Sequence, residues 1–218
     1  MKNLNEYMQE SLLDDEDELV EKSDIFLVEE FIKNNYSGQY KIHKRLVKGK
    51  YQVSSTKGDI WVSNPNITRL TNDLFEWTSV KGFKIFNCAS LESLEGAPKK
   101  VKEDFKCPNC VSLKTLKGAP EKVGREFNCH GCTSLESLEG APKDCNYFAC
   151  TNCTSLKTLE GAPVKCVAFY CNYCSSLKTL EGAPKECKHF FCRHCGGEFT
   201  EDNVKAVCDV IDVHVNFT

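Results

Sequence analysis

Five Cys-x-x-Cys pairs recur along the chain: Cys107 and Cys110, Cys129 and Cys132, Cys150 and Cys153, Cys171 and Cys174, and Cys192 and Cys195. Taken singly, each pair has the spacing of a zinc knuckle, and two such pairs can close a tetrahedral thiolate site. The same spacing suits a redox dithiol. If the segments that carry them stack as strands, successive pairs lie within about 4.8 Å, near enough to share an ion. Zinc on these ten cysteines, or thiol redox chemistry, is therefore the first chemistry to weigh.

The company each cysteine keeps favours a different role. Ile85 stands where the first cysteine of a pair would fall one unit earlier, and the column just ahead reads Val80, Val101, Val123, Cys145, Cys166, Cys187. A column of metal ligands does not exchange thiolate for Val or Ile. A buried apolar column does, because free Cys packs as a small hydrophobe. The remaining column, Cys88, Cys110, Cys132, Cys153, Cys174 and Cys195, is stricter, and Asn64 takes its place ahead of Ile67 and Leu70. Asn and Cys share the ability to donate a hydrogen bond to a neighbouring turn's backbone. Fifteen cysteines, an odd number, disfavour a complete disulfide framework. Core packing with no cofactor is the assignment, and zinc is the alternative.

These columns exist because the chain repeats. Ser-Leu recurs at Ser90, Ser112, Ser134, Ser155 and Ser176, and Gly-Ala-Pro at Gly96, Gly118, Gly140, Gly161 and Gly182. The spacing is 22 residues twice and then 21 twice. A unit this short cannot bury a core alone, so neighbours must stack as a solenoid. Within a unit the Phe-x-Cys step has the period of a strand, placing Phe127 and Cys129 inward and Glu126, Asn128 and His130 outward. Leu-x-x-Leu suits a tight return, and Gly-Ala-Pro ends it.

The stretch "LESLEGAPKKVKEDFKCPNC" resembles the short repeats of the leucine-rich repeat family, particularly those of tailed phages and gut bacteria. The likeness covers about residues 60 to 197. It departs from the family in having Phe and Cys for the two strand leucines and Cys at the regular Asn positions. It implies an α/β solenoid with one short parallel strand per repeat and irregular returns. It also implies a non-catalytic protein–protein interaction module, encoded by a phage.

Four regions follow. Residues 1–23 are an acidic leader, in which Leu4, Tyr7, Met8 and Leu12 have helical spacing ahead of Asp14-Asp15-Glu16-Asp17-Glu18. It reads as a solvated segment, or as a docking helix that holds the protein in a virion or assembly complex. The leader resembles those of gut-phage proteins. Residues 24–63 read as a cap, with a helix through "IFLVEEFIKNN" and short strands "YKIHKRLV", "KYQVSS" and "DIWVS" joined at Lys48-Gly49 and Lys57-Gly58. Ile60 and Val62 there sit out of step with the Phe and Cys columns. Residues 64–198 form the solenoid. Residues 199–218 close it, with Thr200 as a helix N-cap and Ile211, Val213, Val215 and Phe217 alternating along a final strand.

The strand positions that face outward gather rings toward the C-terminal units: Tyr147, Tyr170, Tyr173, His189, Phe191, Arg193 and His194. Aromatic and Arg side chains outside a core are enriched in binding hot spots, which makes this face the expected contact surface for a protein partner. Glu136, Lys157 and Lys178 on the returns read as a solvated face. The net charge of −3 supplies no overall basic field for nucleic acid, and no basic groove emerges from the repeats. The basic stretch from Lys41 to Lys57 reads as a partner for the leader or as solvated surface. No apolar run reaches the roughly 18 residues of a membrane span, and the N-terminus lacks a secretory pattern. Cytoplasm, or a virion if phage-encoded, is the expected location. No His stands at a recognised spacing from a carboxylate or nucleophile, so catalysis is not expected.

Overall fold

The computed structural model describes residues 24–215, apart from positions 63 and 72, with the backbone alone described at Lys44 and Arg45. The leader, with Leu4, Tyr7, Met8 and Leu12, lies outside the described residues, as does Phe217. The chain forms a mostly β parallel solenoid of about seven turns with a short helix at either end. Among the described residues, helix is confined to α1 (24–35) and α2 (Glu201–Val207), and the returns between strands are irregular. The parallel strands, irregular returns and cap helices are as expected, and the solenoid as a whole is mostly β, because Gly-Ala-Pro cuts each return before a helical turn can propagate.

The solenoid begins earlier than the repeat motif suggests. β1 (Tyr36–Ser37) and β2 (Lys41–Val47) both pair antiparallel with β3 (Lys50–Val62). Lys48 and Gly49 form the two-residue hairpin turn, both at positive φ, which matches the twist of the flanking strands. The expected joint at Lys57-Gly58 is absent: β3 runs through it, bulged against its neighbour and tied by Ser55 Oγ, which donates to the Gly58 carbonyl at 2.9 Å. β3 then pairs parallel with β4 (Phe75–Ile85), aligning Ile60 with Phe83 and Val62 with Ile85. These two residues are therefore in step with the columns, contrary to expectation.

From β4 onward each turn lays one plank on the last: β5 (Lys100–Val101) and β6 (Phe105–Lys106), β7 (Lys122–Val123) and β8 (Glu126–Asn128), β9 (Tyr147–Ala149), β10 (Lys165–Tyr170), β11 (Glu186–Phe191) and β12 (Asp209–His214). All of these pairings are parallel and join like to like, for example Phe105 to Phe127, Phe127 to Phe148 and Phe169 to Phe190. The buried Phe rings stack along the axis, with centroids 5.3–5.8 Å apart from Phe83 to Phe190. The Leu pairs of each return fill the opposite wall and are buried throughout.

The mixed 22- and 21-residue spacing has a local cause. In the two longer units the inward Val and the inward Phe are separated by three residues (Val101 to Phe105, Val123 to Phe127), and in the shorter units by two (Cys145 to Phe148, Cys166 to Phe169). The strand is broken at this corner in both longer units, giving the separate pieces β5/β6 and β7/β8, and also before β9, whereas β10 and β11 run through it. The extra residue supplies Asp104, buried at the wide corner, where Arg125 Nε donates at 2.7 Å and Arg125 Nη2 closes the pair. That guanidinium holds the Asp104 carboxyl below its ordinary range.

The glycine of Gly-Ala-Pro is required by space as well as by conformation. Gly161 has φ 93°, and a Cβ there would sit 2.3 Å from the Leu138 carbonyl oxygen of the preceding turn. Gly96, Gly118, Gly140 and Gly182 are in the same state, each against the turn before it.

Both ends are covered. α1 buries Val28 and Ile32 at i, i+4 spacing, and Tyr36 stacks edge-on against Trp77 while its hydroxyl donates to the Leu70 carbonyl at 2.6 Å. At the other end Thr200 caps α2, with a capping box completed by Asn203, and Val204 and Cys208 are buried against the last turn. β12 follows in parallel, but it is Val210 and Val213 that align with Cys187 and Phe190. Ile211, expected inward, is 71% exposed, because inward positions at this corner lie three residues apart. No helix among the described residues is long and apolar enough to cross a membrane.

Candidate functional site

All fifteen cysteines are free thiols, and all but the half-exposed Cys195 are buried. In four of the five pairs the second cysteine donates back to the previous turn: Cys132 to the Cys107 carbonyl at 3.2 Å, Cys153 to Cys129 at 3.3 Å, Cys174 to Cys150 at 3.2 Å and Cys195 to Cys171 at 3.1 Å. The first donates forward to the next: Cys129 to Ala149 at 3.4 Å, Cys150 to Tyr170 at 3.4 Å and Cys171 to Phe191 at 3.3 Å. In the three middle pairs the two thiols are thus engaged in opposite directions along the axis. Among the described residues, no group of three or more His, Cys, Asp or Glu is placed to hold a metal ion.

The first thiols of the three middle pairs are held protonated. The neighbouring Cys153 thiol and burial push Cys129 well above the ordinary thiol value, and burial does the same for Cys150 and Cys171. No cationic side chain lies among the causes, so nothing there offsets the cost of a buried thiolate. Cys110 and Cys195, toward the two ends of the ladder, differ: hydrogen bonds with Cys132 and Cys88 draw Cys110 down to about 4, and one with Cys171 draws Cys195 downward.

The outer strand face is built from the register just described. One column runs Trp61, Lys84, Lys106, Asn128, Ala149, Tyr170, Phe191, His214. Over its last three turns the rings stack: Tyr170 on Phe191 with centroids 4.6 Å apart and planes 11° from parallel, and Phe191 on His214 at 4.1 Å and 2°. Both faces of Phe191 are covered, so this central ring presents its edge to solvent.

A second, parallel stack pairs Tyr173 with His194, centroids 4.8 Å apart. Both residues are exposed, and both have left-handed backbone, φ 59° and 55°. Earlier turns fill this column with Asn87, Asn109, Gly131 and Asn152, residue types that tolerate that conformation. Tyr there costs on the order of 1–2 kcal/mol relative to such residues. A costly aromatic at an exposed turn is a departure that the fold does not ask for.

The other expected contact residues flank these stacks. His189 is half-buried, its Nδ1 3.0 Å from the Asp212 carboxylate. Arg193 is half-buried, and its backbone N–H donates to Asn172 Oδ1 at 2.8 Å. Tyr147 is exposed but stands apart, separated from His189 by the buried Ala168 in the same column. Six of the seven residues thus gather on the last turns, and Tyr147 marks the edge of the group.

Sequence reasoning missed His214, which completes the main stack. It was legible, since Val213 was already placed inward and its neighbour must then face out. It also missed Trp61 at the far end of the same column, 43% exposed and stacked on Phe86 at 5.6 Å with Lys84 Nζ 4.7 Å from its ring. Between the two aromatic ends the face is polar: Lys84 pairs with Asp59 at 2.5 Å, Lys106 with Glu126 at 2.5 Å, and Asn128 Nδ2 donates to Glu126 at 2.8 Å. The opposite, return side carries exposed pairs such as Lys114–Glu92 and Lys157–Glu136, which contribute little to stability. Comparison with protein-family models, with curated proteins and with solved structures finds no match for this chain.

Proposed function

We propose that the chain is a non-catalytic protein-binding module of the leucine-rich repeat kind, carried by a tailed phage. It docks a protein partner on the ring ridge of its last three turns. Tyr170, Phe191 and His214 form the centre, Tyr173 and His194 the second row, and Tyr147, His189 and Arg193 the rim. The observation that carries this reading is the doubled stack at the C-terminal end of the face, where equivalent earlier positions hold Lys, Asn, Ala and Gly. A rigid ring array loses little entropy on binding and offers large contact area, as hot spots do.

The mode of stacking supports a protein over a nucleic acid or a sugar. Bases and sugar faces dock on open ring faces, but those of Phe191 are already covered. The positively polarised ring edges that remain suit the carbonyls and carboxylates of a polypeptide surface. The test is affinity capture from the native source with the wild-type chain and with Tyr170→Ala and Phe191→Ala, each checked for an unchanged urea midpoint. A single protein retained by the wild type and lost by both variants supports the ridge. Equal retention by all three rejects it.

A further inference from the structure

We propose that Cys187 and Cys208 are a redox modification site, a clasp whose disulfide locks the C-terminal cap onto the solenoid. Their sulfurs lie 3.5 Å apart. Thiols of adjacent turns also neighbour one another in the interior ladders, and Cys187 has Cys166 on its other side, but the interior hydrogen bonds run to main-chain carbonyls, whereas the Cys187–Cys208 contact runs from sulfur to sulfur. The remaining contact of Cys208 is a long one, 3.7 Å, to the Asp209 carbonyl.

The backbones on either side are fixed against one another. Glu186 aligns with Asp209 and Cys187 with Val210, the Asp209 N–H donates to the Lys185 carbonyl at 2.8 Å, and the Cys208 N–H closes α2 on the Val204 carbonyl at 3.0 Å. A bond of about 2 Å would close the remaining gap between these anchored segments.

The oxidant is a low-molecular-weight disulfide. One protein thiolate attacks it, forming a mixed disulfide and releasing one small thiol. The second protein thiolate displaces the other small thiol and forms the Cys187–Cys208 bond. Two protein thiols are oxidised, one small disulfide is reduced to two thiols, and the two protons leave on them. In the closed cap both thiols stay protonated, Cys187 pushed up to about 12 by its hydrogen bond with Cys166. Exchange therefore runs through the opened cap, which is easily reached because α2 is seven residues long and buries only Val204. Once formed, the bond fixes the start of β12, the strand that carries His214 onto Phe191.

The full chain is incubated with oxidised glutathione under native conditions, blocked, and digested with trypsin without reduction. Residues 186–188 and 206–218 are released as separate peptides with one cysteine each, so their cross-linked product identifies the bond. The expected result is that product, with a thermal midpoint raised by on the order of 5–10 °C and restored by reductant. Cys208→Ser loses both the product and the shift. A bond mapping to Cys166 and Cys187, a product seen only in denaturant, or a cross-link that leaves the midpoint unchanged overturns the proposal.

Discussion

Replacing Cys129 tests whether its thiol fills space or does chemistry. Cys129 is fully buried mid-solenoid, its sulfur 3.4 Å from the Ala149 carbonyl, which already accepts the Cys129 N–H at 2.8 Å. Losing the thiol hydrogen bond therefore leaves no acceptor unsatisfied. Ile85 occupies the same column two turns away, so the site admits a branched apolar side chain. Cys129→Val should then cost less than about 1.5 kcal/mol, the range of a near-volume-conserving swap. Cys129→Ser keeps the donor but shrinks the side chain and buries a hydroxyl, at about 1–3 kcal/mol. The isosteric polar variant should be the worse of the two. Urea melts in reductant, with and without a chelator, read the order directly. A metal ligand inverts it: serine retains an oxygen donor, valine retains none, and the chelator lowers the wild-type midpoint. Valine ranking below serine, or any chelator-dependent shift, refutes the filler assignment.

Three other outcomes follow from the geometry. Gly161→Ala should cost about 3 kcal/mol or more by urea melt, because φ 93° is strained for alanine and its Cβ would meet the Leu138 carbonyl at 2.3 Å. Native-state alkylation at neutral pH should label Cys195 before any other cysteine: Cys110 is drawn down as well, but it is buried, and Cys195 alone is half-exposed; mapping a buried thiol first would contradict the ladder. Asp104 has a lowered folded-state value, so the stability it adds is complete above the unfolded carboxylate value near 4 and is lost as pH falls through the folded one. Arg125→Ala should shift the acid unfolding limb to higher pH, and an unmoved limb would mean that the corner pair is idle.

The parts of the fold legible in the sequence are those the repeats state more than once. The Val/Cys column, the Phe column and the strict Cys column each appear several times, so each turn tests its neighbours, and all prove to be buried stacks up to the half-exposed Cys195. Thr200 was legible from local chemistry, an N-cap followed by acidic residues. What escaped notice lies where the pattern is stated once. A single missing residue between Val62 and Asn64, one where the regular units have two, hid the alignment of Ile60 with Phe83, and simple alternation was carried across the corner that turns Ile211 outward. On the ridge, types and columns were legible, but the stacking of Tyr170, Phe191 and His214 depends on strand spacing, which no single unit encodes.

The identical Gly-Ala-Pro boundaries carry a further consequence. Each plank bonds only to the one before and the one after, so a whole unit copied or dropped at those boundaries leaves every junction chemically unchanged. The distance from Trp61 to the ring stacks is then adjustable in steps of about 4.8 Å per unit. A lineage could refit this surface to a longer or shorter partner by duplicating existing text, with no new core to invent.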